Sequence, residues 1–474
     1  MAENYDLVVL GAGPGGYVAA IRAAQLGLKT ALVEKEKVGG VCLHKGCIPS
    51  KTMLRSAELF HDMKHAQEYG IAVGEVKLDI KGVHKRKNKV KDQLHKGVQH
   101  LLKRNGITVY NGTGRMLGPS IFSPLPGTIS VEKSDGSDND MLVPQQVLIA
   151  TGSRPAGLPG VEVDGTFIMN SDHALEMDTL PQSIVIVGGG VIGVEWASML
   201  GDFGVKVTLV EYADRILPFE DSDISKEMTR LLKKRKVKIV TGAEVLPETV
   251  KVDRDQVILE MKKKGKRESL TADRMLVSVG RLPNTRDIGL HNTSIRTEKD
   301  IIQVNEFMQT AESHIYAIGD VIGGYQLAHA ASYEGILAVE HMAGKSPNPI
   351  DPLTIPRCTY SRPEVGSLGL SEEEAKKQGY DVKIGKFPFR ALGKALVSGN
   401  SDGFIKLVAD RKTDDILGVH MIGPHATDLI SEAGLAKVLD ATPWEIGQVI
   451  HPHPTLSEAY GEVALAVDGK PIHS

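Results

Sequence analysis

Apolar and polar positions along this chain repeat a pattern. Residues 7–10 form a short apolar run, followed directly by Gly11-Ala12-Gly13-Pro14-Gly15-Gly16. An amphipathic stretch over 17–26 comes next, then Gly27 and a second apolar run, 30–33, ending at Glu34. The order recurs at 184–187, Gly188-Gly189-Gly190-Val191-Ile192-Gly193, a helical stretch to Phe203, Gly204, and the run 207–210 ending at Glu211. Gly11 stands 23 residues before Glu34, and Gly188 stands 23 before Glu211. Each copy reads as strand, tight turn, helix, strand, which predicts an α/β chain with parallel sheets.

The spacing has a physical cause. The first glycine (Gly11, Gly188) permits the strand-to-helix turn, and the second (Gly13, Gly190) lets backbone N–H groups approach a pyrophosphate. The third (Gly16, Gly193) lets helix and strand pack closely, while the helix N-terminus stabilises phosphate charge. Glu34 and Glu211 stand where an acid accepts hydrogen bonds from ribose hydroxyls. Tyr212, Ala213 and Asp214 follow the second acid, with Arg215 only further on, so the second site is expected to prefer NAD over NADP. Each copy ends in a similar phrase, Thr151-Gly152-Ser153-Arg154-Pro155 and Gly280-Arg281-Leu282-Pro283-Asn284. The first copy is the longer, and its extra residues contain a cysteine pair. It is therefore expected to hold the cofactor facing those cysteines, and the second copy the exchangeable dinucleotide.

Composition narrows the class. A chain of 474 residues suggests about three domains. Its 41% hydrophobic and 24% charged content is that of an ordinary globular protein. The net charge of −3 offers no strongly basic field for a nucleic acid, and Lys262, Lys263 and Lys264 read as a solvated turn. Three cysteines do not make a secreted disulfide framework. Glu3 and Asp6 precede the first apolar run, with no basic n-region and apolar h-region, and no apolar run approaches membrane-spanning length. A cytoplasmic location is expected.

The cysteines lie in Gly39-Gly40-Val41-Cys42-Leu43-His44-Lys45-Gly46-Cys47-Ile48-Pro49-Ser50-Lys51, and a regular helix is predicted through 52–64. Residues five apart on one helix are rotated by roughly 140° and separated by about 7.5 Å of rise, beyond the reach of a disulfide. Cys42 is therefore expected in an irregular approach and Cys47 at the first turn, where Pro49 is tolerated. A helix N-terminus stabilises a thiolate, which suits Cys47 to pass electrons to a neighbouring flavin and leaves Cys42 as the target of an incoming thiol. Two buried thiols, or half of a zinc site, are the alternatives; zinc normally wants a second closely spaced pair, and the one other cysteine is Cys358, read as a buried bystander.

Near the end stands His451-Pro452-His453-Pro454-Thr455-Leu456-Ser457-Glu458. A histidine between prolines with a carboxylate five residues later suits a general base whose second ring nitrogen is held. Thiol oxidation needs such a base, because the thiolate is the attacking species. A structural role is favoured for His451.

The GxGxxG…Glu unit, the GGxCxxxxCxPSK phrase, the second GxGxxG and Tyr316-Ala317-Ile318-Gly319-Asp320 together resemble the FAD- and pyridine-nucleotide-dependent disulfide reductases over nearly the whole chain. That resemblance implies FAD at the first glycine turn and NAD at the second. It implies two Rossmann-like domains and a C-terminal α+β dimerisation domain, divided as 1–150 (FAD), 151–275 (NAD), 276–346 (completing the FAD domain) and 347–474 (interface). Asp320 is then a ligand of the ribityl or pyrophosphate part of FAD, with Gln326, Leu327, Ala328 and His329 along the same cofactor. Lys51 lies by the flavin, and Gly114 is a further FAD contact. Thr151, Gly152 and Ser153 join the first site, and Val245 and Gly280 the second. Glu195 pairs with Lys51 in the hydride path, where pattern alone allows an exposed helix acid. His453 becomes the catalytic base oriented by Glu458, entering the site of the other subunit in a homodimer.

Within the family, the opening residues 15–27, the NAD preference and the His-Pro-His-Pro-Thr-Leu-Ser-Glu phrase resemble members that oxidise dihydrolipoyl groups in 2-oxo acid dehydrogenase complexes. The partners so implied are the lipoyl domain of an acyltransferase as substrate and its subunit-binding domain as a docking site. His44 and Lys45 resemble versions from bacterial branched-chain systems. The alternatives are an NAD(P)H-dependent reductase of another small disulfide, and a scaffold docked on the acyltransferase.

Overall fold

The computed structural model describes residues 2–119 and 125–474. They form two compact units, each assembled from three stretches of chain: Met1–Thr52, Lys81–Ala156 and Arg281–Ile350 in one, and Met53–Ile80, Gly157–Gly280 and Asp351–Ser474 in the other.

In the first unit, β1 (Ala2–Leu10) leads through the glycine turn into α1 (Pro14–Gln25) and β2 (Thr30–Glu34). Two helices follow, α2 (Gly40–Lys45) and α3 (Cys47–Lys64), the second of which runs on into the other unit. A long helix, α4 (Ile80–Arg104), then precedes β3 (Thr108–Asn111), β4 (Thr113–Met116), β5 (Ile129–Glu132) and β6 (Asp140–Ile149). The sheet order is β3-β2-β1-β6-β5-β4, with the strand Ile315–Ala317 also paired to β6. The pairs β3–β2, β2–β1, β1–β6 and β6 with Ile315–Ala317 are parallel. Every residue of β2 and the last four of β1 are buried, as expected of parallel strands covered on both faces. Helix Ala328–Met342 lies on α1 almost backbone to backbone: a Cβ on Gly335 would meet the Gly15 carbonyl oxygen at 2.8 Å.

In the second unit the pattern recurs as β7 (Ser183–Val187), α5 (Val191–Asp202) and β8 (Lys206–Val210). These strands sit in a five-stranded parallel sheet with Lys238–Val240, Arg274–Val277 and Ile168–Met169. A three-stranded antiparallel sheet, Ala243–Asp253, Gln256–Lys263 and Lys266–Ala272, belongs to the same unit, and Lys264 occupies the turn between its last two strands at φ +47°. The C-terminal part is a five-stranded antiparallel sheet packed with helices Ala426–Val438 and Glu458–Ala466 around Phe387, Phe389, Leu407, Met421 and Tyr460. Among the described residues no helix is long and apolar enough to cross a membrane.

Candidate active site

The two glycine turns are built alike. Gly11 and Gly188 have φ of +100° and +108°, in the region that favours glycine. A Cβ on Gly11 would lie 2.3 Å from the Ala150 carbonyl oxygen, and one on Gly188 2.3 Å from that of Ser278. A Cβ on Gly16 or Gly193 would lie 1.9 Å from the carbonyl oxygen of Gly11 or Gly188. The middle glycines differ in kind: a Cβ on Gly13 or Gly190 meets nothing within 4 Å. Their lack of side chain serves no packing within the protein and leaves an open cradle before a helix N-terminus. That is the shape and electrostatics a pyrophosphate requires, so the residues fit a dinucleotide in both turns.

The acids also match. Glu34 accepts hydrogen bonds from Ala12 N (2.8 Å) and Glu36 N (2.8 Å), and Glu211 accepts from Gly189 N and Ala213 N (2.7 Å). Each carboxylate fixes its own glycine turn, and with about four acceptor sites it retains capacity for ribose hydroxyls.

The cysteine segment rests on the first turn. Gly39 N donates to the Ala12 carbonyl at 2.8 Å, and a Cβ on Gly40 would lie 2.6 Å from Gly13 Cα. Cys42 is therefore delivered to the mouth of the cradle by two glycines with φ of +106° and +59°. The expectation that Cys42 lies in irregular chain is corrected: it sits on the short helix α2, which ends at Gly46 (φ −143°, ψ −116°) before α3 starts at Cys47. The break at Gly46, rather than a loop around Cys42, brings the sulfurs together. The Cys42 thiol is pushed up well above its ordinary range, first by its hydrogen bond with Cys47, then by burial and by the Cys47 charge, with Lys51 opposing. Lys51 lies one turn into α3, on the helix that Cys47 opens.

Around Asp320, the strand Ile315–Ala317 ends in a turn with Gly319 at φ +73°. Asp320 accepts from the Ser153 hydroxyl, Arg281 Nε donates to Ser153 Oγ at 2.7 Å, and Arg281 lies 3.7 Å from the Asp320 carboxylate. Thr151 Oγ1 donates to the Asn284 carbonyl (2.8 Å), and Asn284 returns a bond to the Thr151 carbonyl (3.0 Å). Thr151, Gly152, Ser153 and Asp320 are so brought together. Arg281 and Glu334 join them as groups that sequence reading did not assign: Glu334, its carboxyl raised by burial, accepts from Gly319 N at 2.7 Å and holds the turn. Nothing in the spacing of Glu334 announces this. Gln326 has φ +52°, and Leu327 caps the helix in which Ala328 and His329 are the first residues. Gly114 is explained by packing, since a Cβ there would meet Leu10 Cδ2 at 2.7 Å. Val245 is a buried core residue beside Val187 and Val210, and Gly280 (φ +127°) borders open space.

Glu195 is not an exposed helix acid. It is 6% exposed and accepts from Tyr360 N at 2.9 Å. Three and seven residues on, Ser198 Oγ accepts from Arg362 N (2.9 Å), and Asp202 takes the Arg362 guanidinium through both oxygens (3.2 and 2.7 Å). Arg235 closes on Asp202 as well, and His61 Nδ1 lies 3.6 Å from it. One face of α5 therefore grips residues 360–362.

At the C-terminal end, His453 Nδ1 meets Glu458 Oε1 at 2.8 Å while Thr455 N donates to Glu458 Oε2 at 2.8 Å. Burial raises the Glu458 carboxyl, but the His453 bond and the Thr455 N–H outweigh it, and the group lies below its ordinary range. The His453 side chain is 76% exposed, leaving Nε2 outward. His451, by contrast, is buried against Glu432 (2.8 Å) and stacks on Tyr460. Cys358 is half-buried against the C-terminal core. Among the described residues, no group of three or more His, Cys, Asp or Glu is arranged to hold a metal ion.

The pyridine nucleotide-disulphide oxidoreductase family matches residues 5–335, and that family's dimerisation domain matches residues 355–464. The chain is 66% identical over 473 residues to the dihydrolipoyl dehydrogenase of Bacillus subtilis, with 100% of both covered. It is 40% identical over 475 residues to the mitochondrial dihydrolipoyl dehydrogenase of Pisum sativum, covering 100% of this chain and 93% of the relative. Among solved structures, LpdA of Mycobacterium tuberculosis is similar with a TM-score of 0.90 at 27% identity, covering 98% of this chain and 99% of that one. The chain belongs to the pyridine nucleotide-disulphide oxidoreductase family.

Proposed function

We propose that the protein oxidises protein-bound dihydrolipoyl groups to lipoyl and reduces NAD, as the dihydrolipoyl dehydrogenase component of a 2-oxo acid dehydrogenase complex. The observation that carries this reading is the Cys42–Cys47 pair, in hydrogen-bond contact and seated on the first glycine turn. FAD would be held by the Gly11–Gly13–Gly16 turn, Glu34, Lys51 and the Ser153–Asp320 group, and NAD by the Gly188–Gly190–Gly193 turn and Glu211. When bound, FAD supplies a two-electron acceptor between dithiol and nicotinamide.

The chain's own residues account for the thiol chemistry. With the pair in its disulfide form, His453 accepts the proton of one substrate thiol. That sulfur attacks Cys42 Sγ, the Cys42–Cys47 bond breaks, and Cys47 leaves as a thiolate. The second substrate thiol then gives up its proton as its sulfur attacks the first, which closes the lipoyl ring and releases Cys42, whose sulfur takes up that proton. The substrate has lost two electrons and the pair has gained them. Glu458 holds Nδ1, so Nε2 is the basic nitrogen, and it stabilises the imidazolium that forms. We assign residues 1–150 and 276–346 to the FAD domain, 151–275 to the NAD domain and 347–474 to the interface. The active form is a homodimer in which His453 of the partner subunit serves each cysteine pair. We assign Lys51 and Glu195 to the hydride path.

Side-by-side assays with NAD and NADP, and with dihydrolipoamide and glutathione, test the reading. NAD with dihydrolipoamide is the expected active combination, and Cys47→Ser is expected to abolish it. Retained turnover in that variant, or turnover with glutathione alone, overturns the assignment.

A further inference from the structure

Helix α4 concentrates positive charge to a degree that the net charge of −3 hides. Its 25 residues carry nine Lys and Arg against the single acid Asp92. Five of the nine share one face. Val83, Lys87, Val98 and Leu102 make the buried face. Lys81, Lys85, Lys89, Lys96 and Lys103, at intervals of four and seven, fall within about 80° of one another on the outward face and are all exposed. The stripe spans roughly 33 Å at 1.5 Å per residue. Among the described residues none of these five lysines is in an ion pair. Asp92 is the one acid on the same face, between Lys89 and Lys96, so the row keeps a clear positive excess along its length; it repels itself, and its cost calls for a return other than stability.

Its place in the fold indicates what that return is. Val98 and Leu102 share a core with Val38 and Leu43 of the cysteine segment. His95 of α4 packs edge-on against His44 of α2 with ring centroids 5.0 Å apart, and both rings meet the Val38 carbonyl, at 3.0 and 2.9 Å. The basic helix thus buttresses the short helix that carries Cys42, the sulfur a substrate must reach. The helix has no Phe, Tyr or Trp on which a nucleic-acid base could stack. Its exposed Leu94 and Leu101 lie on the side away from the lysines, so the apolar and basic groups do not form the adjoining faces of a membrane-surface helix.

We infer that the lysine stripe of α4 is a docking and steering surface for an acidic protein carrier that presents the dihydrolipoyl arm to Cys42. This rests on the function proposed above and adds the partner's surface chemistry and the place where it is read. A long positive surface beside the site raises the encounter rate of an acidic domain by about 10 to 10³-fold at low salt. A small neutral dithiol gains nothing from it.

The test uses the flavin-loaded holoenzyme, with Lys85→Glu/Lys89→Glu/Lys96→Glu and the milder Lys85→Gln/Lys89→Gln/Lys96→Gln. Two substrates are compared: free dihydrolipoamide, and the reduced lipoyl domain of a 2-oxo acid dehydrogenase acyltransferase. Expected are a fall of about tenfold or more in kcat/KM for the domain at low ionic strength and a smaller fall for the glutamine variant. The difference from the parent should shrink as salt rises, and dihydrolipoamide turnover should be unchanged. Equal kinetics with the domain in all three proteins overturns the inference, as does an equal loss with both substrates. So does a loss confined to retention of duplex DNA or of phosphatidylglycerol vesicles. A parent enzyme that fails to oxidise dihydrolipoamide sinks the proposed function instead. Calorimetric binding of the oxidised lipoyl domain to parent and variants then still decides the stripe.

Discussion

At the scale of single residues, the glycines of one turn do different work, and the difference is measurable. A Cβ at Gly16 collides with the Gly11 carbonyl, whereas one at Gly13 enters open space at an ordinary φ of −66°. Gly16→Ala is expected to destabilise even the flavin-free protein, by about 1–3 kcal/mol or more from overpacking. Gly13→Ala should leave the thermal midpoint of the flavin-free protein unchanged while weakening FAD retention. Equal midpoints for the two apoproteins would show that the turn is not packed as described. His61 makes a second prediction. Burial first, and the Arg362 charge next, push its imidazole down to about 4, against the pull of Asp202. A histidine lowered in the folded state contributes stability above its unfolded value near 6.5, and loses it as pH falls towards 4. Denaturant titrations of the parent and His61→Gln should therefore diverge between pH 7 and about 4, with the parent losing more. Parallel curves count against it.

At the scale of elements, α5 combines two tasks. Its glycine-started N-terminus faces the open cradle of the second turn, while the row Glu195, Ser198, Asp202 binds Tyr360 N and Arg362. Asp202 is the ion-pair partner of both Arg362 and Arg235, and it is 5% exposed at the side chain. Removing it leaves two cations facing each other in a partly dry site. Asp202→Ala should cost about 3–5 kcal/mol in urea denaturation, whereas Asp202→Asn, which keeps hydrogen bonding, should cost less. If Glu195 is positioned through this grip, the alanine variant also shifts the pH profile of NAD-linked turnover; loss of stability with an unmoved profile makes the row purely structural. The pair α2 and α3 teaches the complementary point. Helical rotation correctly excludes one continuous helix through Cys42 and Cys47, but a second helix broken at Gly46 satisfies that exclusion as well as a loop does.

At the scale of the whole molecule, the shared site proposed for a homodimer predicts complementation. Cys47→Ser and His453→Gln are each expected to be inactive, the second by about 10²–10⁴-fold in kcat. When the two are co-expressed, random pairing gives a mixed dimer whose one site has an intact cysteine pair and an intact histidine. About a quarter of the parent sites are then functional by symmetry. No recovery in a sample shown by mass to contain the mixed dimer places His453 in its own chain's site.

The sequence by itself determined what depends on neighbours along the chain. The strand–turn–helix–strand repeats were legible because Gly11, Gly16, Gly188 and Gly193 are demanded by backbone approaches within five residues or across one adjacent strand. The pairing of His453 with Glu458 was legible for the same reason, since the two stand on one turn and the helix start that follows it. Tertiary structure alone decided the burial of Glu195 against a backbone N–H 165 residues away, and the joining of Ser153, Arg281 and Asp320 into one group. It also set the support of Gly319 by Glu334 and the turning of the lysine face of α4 outward. A charged residue's surroundings are set by whichever segments the fold brings beside it, and residue spacing carries no record of them.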